Sequence, residues 1–390
     1  MSPLQLLLLS LTVTVSNPLP DARENVPVVV SLPSKGAEVR SVTVAGHPDM
    51  PWQLDDMNRD GRADELVMMV DLKPSQTVTL KVNLSDKEPS RTFEPKTEAY
   101  IKLNDKNKKH PKIQAVTFPG DANNRAMYDA IYGHGAVLEG LYSAIRIYMD
   151  NRQSVDLYAK NRPQLELATT GFYTTKDQLA EGYGRDILWA GTSVALGSFR
   201  GWDGKTPLTI DSVVTRGQSI LTTGPLRSVV EITDRGWVAR PGAAPVDMTQ
   251  RYTMYAGHRD YQVDIHITPS TPGTVYCTGV QKVMEDNVGF VNADGLAGSW
   301  GWNIPDKGMK EVTDTLGLGI YVPARYLDRT LEDDVNYLTL LKPDRNGNIR
   351  YSFTSAALRD ETSPRSADEW FAWLRKWQRS LANPVKITVK

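Results

Sequence analysis

Residues that could exchange protons are concentrated between Tyr128 and Tyr173. His134 lies between two glycines, which allow a backbone and a ligand to approach each other closely. An imidazole gives and takes protons near neutral pH, so His134 is the leading candidate for a general base. The alternative is an ordinary loop histidine that a neighbouring carboxylate satisfies.

A second group of polar residues alternates along a predicted strand pair on either side of a turn at 151–153. An arginine fork can bind a carboxylate, and a tyrosine or lysine can act as a base where nearby cations lower its pKa. Cross-strand ion pairs on a solvated face would use the same residue types. We favour a functional interpretation for the group as a whole, which comprises Arg146, Asp150, Asp156, Tyr158 and Lys160.

Other candidates are spread along the chain. Tyr183 lies between glycines, close to Arg185, and tryptophan rings can stack on sugars or fill a core. The predicted catalytic residues are His134, Arg146, Tyr158, Tyr183 and Arg185. The predicted substrate-binding residues are Glu139, Asp150, Asp156, Lys160, Tyr173, Trp202, Arg251, His258 and Trp300.

An acidic loop resembles the first half of a calcium site. Asp56, Asn58 and Asp60 alternate, Gly61 follows them, and Asp64 adds a further carboxylate. The twelfth position holds Val67 rather than a bidentate glutamate, and the flanking residues predict strands rather than helices. A hairpin turn rich in Asp and Asn explains the pattern without a metal. Structural calcium is thus the one cofactor that the sequence suggests, and the predicted chemistry requires none.

These residues lie in a chain dominated by short alternating segments, with strands expected at many places, including 164–168 and 193–200. The pattern predicts an all-β fold: a large antiparallel β-supersandwich over 91–390, preceded by a small β-sandwich over 17–90. One helix is expected, over 366–381. Trp370, Trp373, Leu374 and Trp377 share one stripe of it and should pack onto a sheet.

Composition and motifs narrow the function. The formal net charge is −1, so nothing indicates a nucleic acid or an anionic membrane as partner. Cys277 is the only cysteine, which rules out an intramolecular disulfide. Phosphate-binding loops, GxSxG, HExxH and CxxC are missing, which argues against nucleotide chemistry, common serine hydrolysis and a standard zinc site.

The amino-terminal segment predicts export. The run from Leu4 to Val15 is nearly all apolar and has the length of a signal-peptide core, too short for a membrane anchor. Residues 1–16 are therefore expected to be a signal peptide. No later run is long enough to span a bilayer, so a protein exported to the periplasm is expected.

Several motifs together resemble an uncharacterised family of exported bacterial proteins that are encoded beside polysaccharide-degrading enzymes, pectin-related ones in particular. They are Tyr132-Gly-His-Gly, the 146–160 stretch, the 55–66 loop, and Asp368-Glu-Trp-Phe with the later Asn383-Pro-Val. That family is similar in fold to the galactose-mutarotase-like β-supersandwich. The resemblance implies a carbohydrate ligand on the concave sheet face, and it supplies no catalytic residues.

The resulting expectation is an enzyme that acts on uronate-containing oligosaccharides by β-elimination. Such a reaction needs a donor on the carboxylate, a base for the C5 proton and an acid for the leaving oxygen. Arg146 or Arg185 could hold the carboxylate, His134 could be the base, and Tyr158 or Tyr183 the acid. The alternatives are ring opening or epimerisation with a histidine and a carboxylate such as Glu139 or Glu285, hydrolysis by two carboxylates, and a non-catalytic glycan-binding protein.

Overall fold

The computed structural model describes residues 9–33, 38–107, 109–121, 124–283, 285–304 and 314–390. The first six strands are β1 (Leu9–Ser16), β2 (Arg23–Ser31), β3 (Ser41–Val44), β4 (Trp52–Asp55), β5 (Glu65–Leu72) and β6 (Thr77–Ser85). The elements up to residue 186 are β7 (Glu98–Leu103), β8 (Lys112–Ile113), β9 (Ala115–Pro119), α1 (Asn124–Ala130), β10 (Ile131–Glu139), β11 (Ser143–Tyr148), β12 (Val155–Ala159), α2 (Leu167–Thr170), α3 (Lys176–Ala180) and β13 (Arg185–Asp186).

The remaining strands before residue 300 are β14 (Arg200–Trp202), β15 (Pro207–Leu208), β16 (Thr215–Thr222), β17 (Arg227–Trp237), β18 (Val246–Tyr255), β19 (Asp260–Thr268), β20 (Tyr276–Gln281) and β21 (Glu285–Val291). The chain continues with β22 (Leu296–Asn303), β23 (Asp314–Tyr321), β24 (Leu327–Glu332), β25 (Asn336–Leu341), β26 (Asn348–Ala357), α4 (Ala367–Ala382) and β27 (Lys386–Val389). The described residues thus form antiparallel sheets with four helices, which confirms the predicted all-β class.

The amino-terminal part is a small sandwich of two sheets. One sheet has the order β27-β1-β6-β3 and the other β2-β5-β4. Alternating valines and leucines of both sheets meet in one apolar core, among them Val13, Val28, Leu66 and Val82. These residues share a core because the side chains of a β-strand alternate, so that every second one points to the same face of its sheet.

The expected signal peptide overlaps the first of these strands. Residues 1–8 lie outside the described residues, but Leu9–Ser16 form β1, which pairs with β6 on one side and β27 on the other. Val13 and Val15 are fully buried, whereas Thr12, Thr14 and Ser16 alternate with them and are partly exposed. The second half of the apolar run therefore belongs to a strand with one buried face. Cleavage after Ser16 would remove this strand, which is paired on both sides.

The larger part is a two-layer β-supersandwich. One layer is a nine-stranded sheet, ordered β21-β22-β23-β26-β19-β18-β17-β16-β9. The other layer consists of a six-stranded sheet, β13-β12-β11-β10-β7-β8, and a five-stranded sheet, β15-β14-β20-β25-β24. The inner faces of the two layers share one large apolar core. Each layer therefore has an outer face, and these two faces point to opposite sides of the molecule.

The predicted carboxy-terminal helix packs on the nine-stranded sheet. Ser366 caps α4 by accepting a hydrogen bond from the backbone N–H of Glu369 at 3.3 Å. Trp370 and Leu374 are fully buried against β22 and β23. Glycines there allow the close approach, since a Cβ at Gly317 would clash with the Trp370 ring. The expected aromatic stripe is thus a packing surface. Among the described residues, no helix is long and apolar enough to cross a membrane.

Two expected strands are absent from their places. Residues 164–168 contain the start of the short helix α2, and most of 193–200 is loop, with β14 beginning at Arg200. The segment between β12 and β13 lies over the outer face of the six-stranded sheet, where Leu167 and Phe172 pack on Tyr158. An apolar residue that seals a sheet from outside has the same local pattern as a strand residue, so periodicity could not separate the two.

Candidate active site

A β-bulge in β10 carries His134. The pairing of β10 with β7 stops at Tyr132 and resumes at Val137, so the residues between them bulge out of the ladder. The φ angle of His134 is 69°, in the left-handed region that is uncommon for residues other than glycine. Gly135 has no room for a side chain, because a Cβ would collide with the carbonyl of Ile147. Bulges and strained residues of this kind concentrate at functional sites.

The hydrogen bond of the His134 ring determines its tautomer. Nδ1 lies 3.2 Å from the carbonyl oxygen of Tyr128, which can only accept, so Nδ1 carries the proton of the neutral ring. Burial lowers the pKa of His134, which keeps the ring neutral at pH 7. Nε2 therefore holds a free lone pair. The ring packs against Tyr128, with 4.3 Å between the ring centroids.

Arg146 is the centre of a buried polar cluster on the same face. The register of β11 and β12 places it opposite Asp156. One terminal nitrogen, Nη2, donates to the Tyr148 hydroxyl at 2.8 Å, to Asp156, and to Asp186 at 3.1 Å. The other, Nη1, donates to the Tyr173 hydroxyl at 3.2 Å. Arg146 is only 3% exposed, so both of its terminal nitrogens already serve partners within the protein.

The two carboxyl groups of this cluster differ in protonation. Burial, and then the charge of Asp156, raise the pKa of Asp186 well above its ordinary value. The Tyr148 hydroxyl donates to Asp156 at 2.9 Å, and the Arg146 guanidinium stabilises that carboxylate. Asp186 is therefore the carboxyl group of the cluster whose environment favours the protonated form. The Asp186 side chain keeps 16% of its surface exposed, enough to meet a ligand.

Tyrosine rings surround the cluster. Tyr132 stacks on His110 at 3.8 Å between centroids and meets Tyr173 edge to face at 6.2 Å. Tyr173 is 49% exposed, and Tyr128 stacks on Tyr148 at 5.7 Å. Such rings offer flat apolar faces with hydroxyls at their edges, as a sugar ring requires.

A second cation lies beside these rings. Arg152 donates to Asp150 at 2.8 Å and also to the Tyr128 hydroxyl. Its side chain is 39% exposed, whereas Asp150 is buried. Of the two arginines on this face, Arg152 is thus the one that can reach an incoming anion.

Several predicted site residues lie behind the site rather than in it. Lys160 and Glu139 form an ion pair of 2.5 Å in which neither side chain is exposed. Glu139 also accepts the backbone N–H groups of Glu166 and Leu167, so the pair anchors the segment that covers the sheet. Burial raises the pKa of Glu139 and lowers that of Lys160.

The two tyrosines predicted as acids and the predicted carboxylate binder Arg185 lie outside the polar cluster around Arg146. Tyr158 is fully buried and bonds to Thr170 and Thr174, and burial raises its pKa. Tyr183 is half-buried in the loop that leads to β13. Arg185 turns to the other side of β13 and pairs with Asp314, which also holds Arg359.

The other predicted binding residues are scattered. Trp202 and Trp300 are buried in two separate apolar clusters, Trp300 beneath α4. His258 links the two parts of the molecule, bonding to Asp260 at 2.9 Å and to the backbone oxygen of Asn25 at 2.7 Å. Arg251 lies on the outer face of the nine-stranded sheet, opposite Glu231. The structure thus brings together His134, Arg146, Asp156 and Tyr173, with Asp150 adjacent through Arg152.

The acidic loop between β4 and β5 uses its side chains to hold its own backbone. Asp64 accepts the N–H groups of Met57 and Asn58 at 2.8 and 2.9 Å, and Asp56 accepts that of Gly61 at 2.8 Å. Asp60 accepts the N–H of Arg62 at 2.9 Å. Over the described residues, no group of three or more His, Cys, Asp or Glu side chains is arranged to hold a metal ion. This arrangement fits the turn interpretation, and calcium binding stays a prediction.

The sequence analysis assigned no catalytic or binding role to Asp186, Tyr148, Tyr128 or Arg152. Asp186 follows Arg185 directly, and β13 has only these two residues, too few to show which side chain faces the cluster. The register decides it, because Asp186 pairs with Tyr158, which shares a face with Asp156. Tyr148 alternates with Arg146 and could have been selected from that spacing.

A family model matches residues 15–387, nearly the whole chain, and it is described as "Domain of unknown function (DUF4861)". The chain belongs to this family. No curated protein is significantly similar to it in sequence.

Solved structures show where the fold recurs. The chain is similar to a protein in the glycosyl hydrolase family 38 from Enterococcus faecalis, with a TM-score of 0.51 and 10% identity over 98% of this chain. An alpha-mannosidase from Enterococcus faecalis V583 is also similar, with a TM-score of 0.45 and 10% identity over 98% of this chain. The chain spans about half the length of these proteins, 47% and 46%. At such identity, the first likeness concerns the fold alone.

Proposed function

We propose that the protein is a carbohydrate-active enzyme that uses His134 as a general base and Asp186 as a general acid on a uronate-containing oligosaccharide. The observation that carries the proposal is the pairing of opposite protonation states on one face. His134 presents a bare Nε2, because Nδ1–H is bonded to a carbonyl. Asp186 retains its proton, because burial and Asp156 raise its pKa. Acid and base groups whose environments separate their pKa values in this way mark proton-transfer sites.

The reaction that we propose is β-elimination. Nε2 of His134 would take the C5 proton of the uronate, and the electron pair left at C5 would form the C4–C5 double bond. The C4–O4 bond would break, and the leaving oxygen would receive the proton of Asp186. The products are an unsaturated uronate and a shortened chain. Each proton transfer of this kind typically contributes about 10²–10⁴-fold in rate.

The substrate carboxylate needs a cation, and we assign that part to Arg152. Arg146 was the residue expected to bind the carboxylate, but its terminal nitrogens already donate hydrogen bonds to other protein groups. These groups belong to Tyr148, Asp156, Asp186 and Tyr173. Arg152 is 39% exposed and lies over the Tyr148 ring at 5.4 Å. The rings of Tyr132 and Tyr173 supply a stacking surface for a neighbouring sugar. The structural neighbour described as a glycosyl hydrolase family 38 protein is consistent with a sugar substrate.

One observation favours mutarotation as a second candidate. Opening a sugar ring at its anomeric carbon needs one base and one acid, and it needs no carboxylate binder. Because both terminal nitrogens of Arg146 already bind protein groups, the cluster would suit a neutral sugar equally well. Glycoside hydrolysis stays an alternative, because the structural neighbour described as a glycosyl hydrolase family 38 protein is compatible with it.

The test is turnover of purified protein on uronate oligosaccharides, followed by the ultraviolet absorbance of the new conjugated double bond. We expect activity in the wild type and a loss of about 10²-fold or more in His134→Ala. His47→Ala is the matched control, because His47 is an exposed histidine of the amino-terminal sandwich. No absorbance change on pectic, alginate or glucuronate substrates would refute elimination. Faster anomer exchange on neutral sugars, lost in His134→Ala, would then support mutarotation.

Export is also a proposal, and it rests on the apolar segment Leu4–Val15. Cell fractionation and amino-terminal sequencing of the mature protein would test it. A mature chain that begins before Leu9 would retain β1, whereas one that begins at Asn17 would have lost a strand that is paired on both sides.

A further inference from the structure

A large open cavity lies on the outer face of the nine-stranded sheet, on the layer opposite His134. It has a volume of about 910 Å³ and is an open trough. Strands β17, β18, β19 and β26 form its floor. The amino-terminal sandwich supplies one wall through Val29, Met57 and Glu65, and Arg325 with Tyr326 forms part of the rim.

A row of charged residues crosses the floor. Glu231, Arg251, Asp264 and Arg350 occupy directly opposite positions on four neighbouring strands. Arg251 bonds to Glu231 at 2.8 Å, and Arg350 bonds to Asp264. Since neighbouring strands are about 4.8 Å apart, the row spans roughly 14 Å, long enough to follow an extended ligand.

Neutral polar residues accompany this row on both sides. Thr249, His266 and Asn348 lie opposite one another in the next row, and Thr253 and Gln262 do so in the row beyond the charges. His266 bonds to Asn348 at 3.0 Å, and Gln262 bonds to Asp264 at 2.6 Å. The floor is therefore a flat array of hydrogen-bonding groups rather than an apolar face.

The cations lie outermost in the charged row. The side chains of Arg251 and Arg350 are 44% and 47% exposed, whereas those of Glu231 and Asp264 are 17% and 32% exposed. The cavity is lined by five arginines and three carboxylates: Arg227, Arg235, Arg251, Arg325 and Arg350, and Glu65, Glu231 and Asp264. Arg227 is buried against Asp55 and Glu65, so the other four arginines are the ones open to a ligand. A ligand that enters the trough meets guanidinium groups first, and exposed ion pairs are weak enough, about 0–1 kcal/mol, to exchange partners.

We infer that this trough is a second, non-catalytic binding site for an acidic polysaccharide chain. The guanidinium groups would bind uronate carboxylates in their planar fork, and the Thr, Gln, Asn and His rows would bind hydroxyls. An extended polymer suits an open trough on a rigid sheet. The trough and the His134 site belong to opposite layers, so the trough would hold the polymer at the protein without placing it at the acid and base.

The test is electrophoresis in native gels that contain polygalacturonate, with gels that contain a neutral galactan for comparison. We expect the double variant Arg251→Gln/Arg350→Gln to bind polygalacturonate about tenfold or more weakly, and the neutral gels to show no difference. Arg40→Gln is the matched control, because Arg40 is 47% exposed and also pairs with carboxylates. Arg251→Lys/Arg350→Lys keeps the charges and should recover only part of the affinity, since lysine lacks the fork.

Three outcomes would overturn the inference: unchanged retardation of the glutamine double variant, an equal loss in Arg40→Gln, or loss of retardation in His134→Ala. Thermal unfolding of each variant should match the wild type, because the substituted residues are exposed. The result does not depend on the proposed reaction. A protein without turnover can still bind at the trough, and a double variant that has lost polymer binding should keep its turnover on short oligosaccharides.

Discussion

The His134 site and the trough use similar residues in opposite ways. Around Arg146, both terminal guanidinium nitrogens donate to protein groups, the side chain is 3% exposed, and burial raises the pKa of the neighbouring Asp186. In the trough, Arg251 and Arg350 are paired but about half exposed. Burial gives the first region altered proton affinities, which chemistry needs. Exposure gives the second region exchangeable contacts, which binding needs.

The largest difference between the two regions is expected in the free energy of unfolding that is lost when the central arginine of each is replaced. Arg146→Met would leave Asp156 buried without its cation, which typically costs about 3–5 kcal/mol. Arg251→Met removes an exposed pair and should cost about 0–1 kcal/mol. Urea unfolding of both variants measures the difference. Equal free energies of unfolding would show that the Arg146 cluster is not buried as described.

Asp186→Asn should cost about 10²-fold in turnover, because the amide cannot supply the proton. It should also alter the pH dependence of stability. The pKa of Asp186 is raised in the folded state, so the folded state binds more protons than the unfolded state between about pH 3.9 and the folded pKa. Stability therefore falls with rising pH across that window in the wild type. The fall should be absent from Asp186→Asn and present in Asp264→Asn, and an unchanged slope in Asp186→Asn would contradict the assignment.

His258→Gln should loosen the wall of the trough and leave the His134 site intact. Both ring nitrogens face acceptors, Asp260 and the Asn25 carbonyl, so the ring is a cation that donates twice. Burial alone would lower the pKa of His258, but the bond and charge of Asp260 outweigh burial and raise it. A contribution of about 1.5–3 kcal/mol should be complete below about pH 6.5 and vanish as pH rises through the folded pKa.

Urea unfolding across this pH range measures the contribution of His258. The difference between wild type and His258→Gln should shrink at alkaline pH. A difference that does not depend on pH would show that the ring acts as a neutral group. Turnover at the His134 site should be the same in both proteins.

The smallest effect is expected at the acidic loop beside the trough. The side chains of Asp56, Asp60 and Asp64 already accept backbone N–H groups of the loop. Removing calcium with a chelator should therefore change the thermal midpoint by less than about 1 °C, against the roughly 2–4 °C that 1 kcal/mol produces in a large domain. A larger drop, reversed by added calcium and absent from Asp56→Asn, would establish a metal site.

The fold class and α4 could be predicted because they follow from local periodicity, as the stripe from Trp370 to Trp377 shows. The site could be predicted only in part. Gly-His-Gly pointed to His134, and alternation pointed to Arg146 and Asp156. Which face the Asp186 side chain occupies depends on the pairing register of β12 with β13, which local sequence does not contain. Lys160 cannot be distinguished in sequence from an exposed lysine, because its burial depends on the position of its partner Glu139. Leu9–Ser16 shows the converse, since an apolar segment suits both a signal peptide and a strand.

The pairing of β1 with β27 has a consequence for synthesis on the ribosome. The sheet that contains β1, β3 and β6 gains its fourth strand only when residues 386–389 have emerged. Domains of growing chains generally fold from the amino terminus onwards, yet this sandwich must wait for the whole supersandwich to be made. Until then β1 exposes a free edge, which is the kind of surface that recruits other chains. Chaperone dependence during translation should therefore be greatest for the part of the protein that is made first.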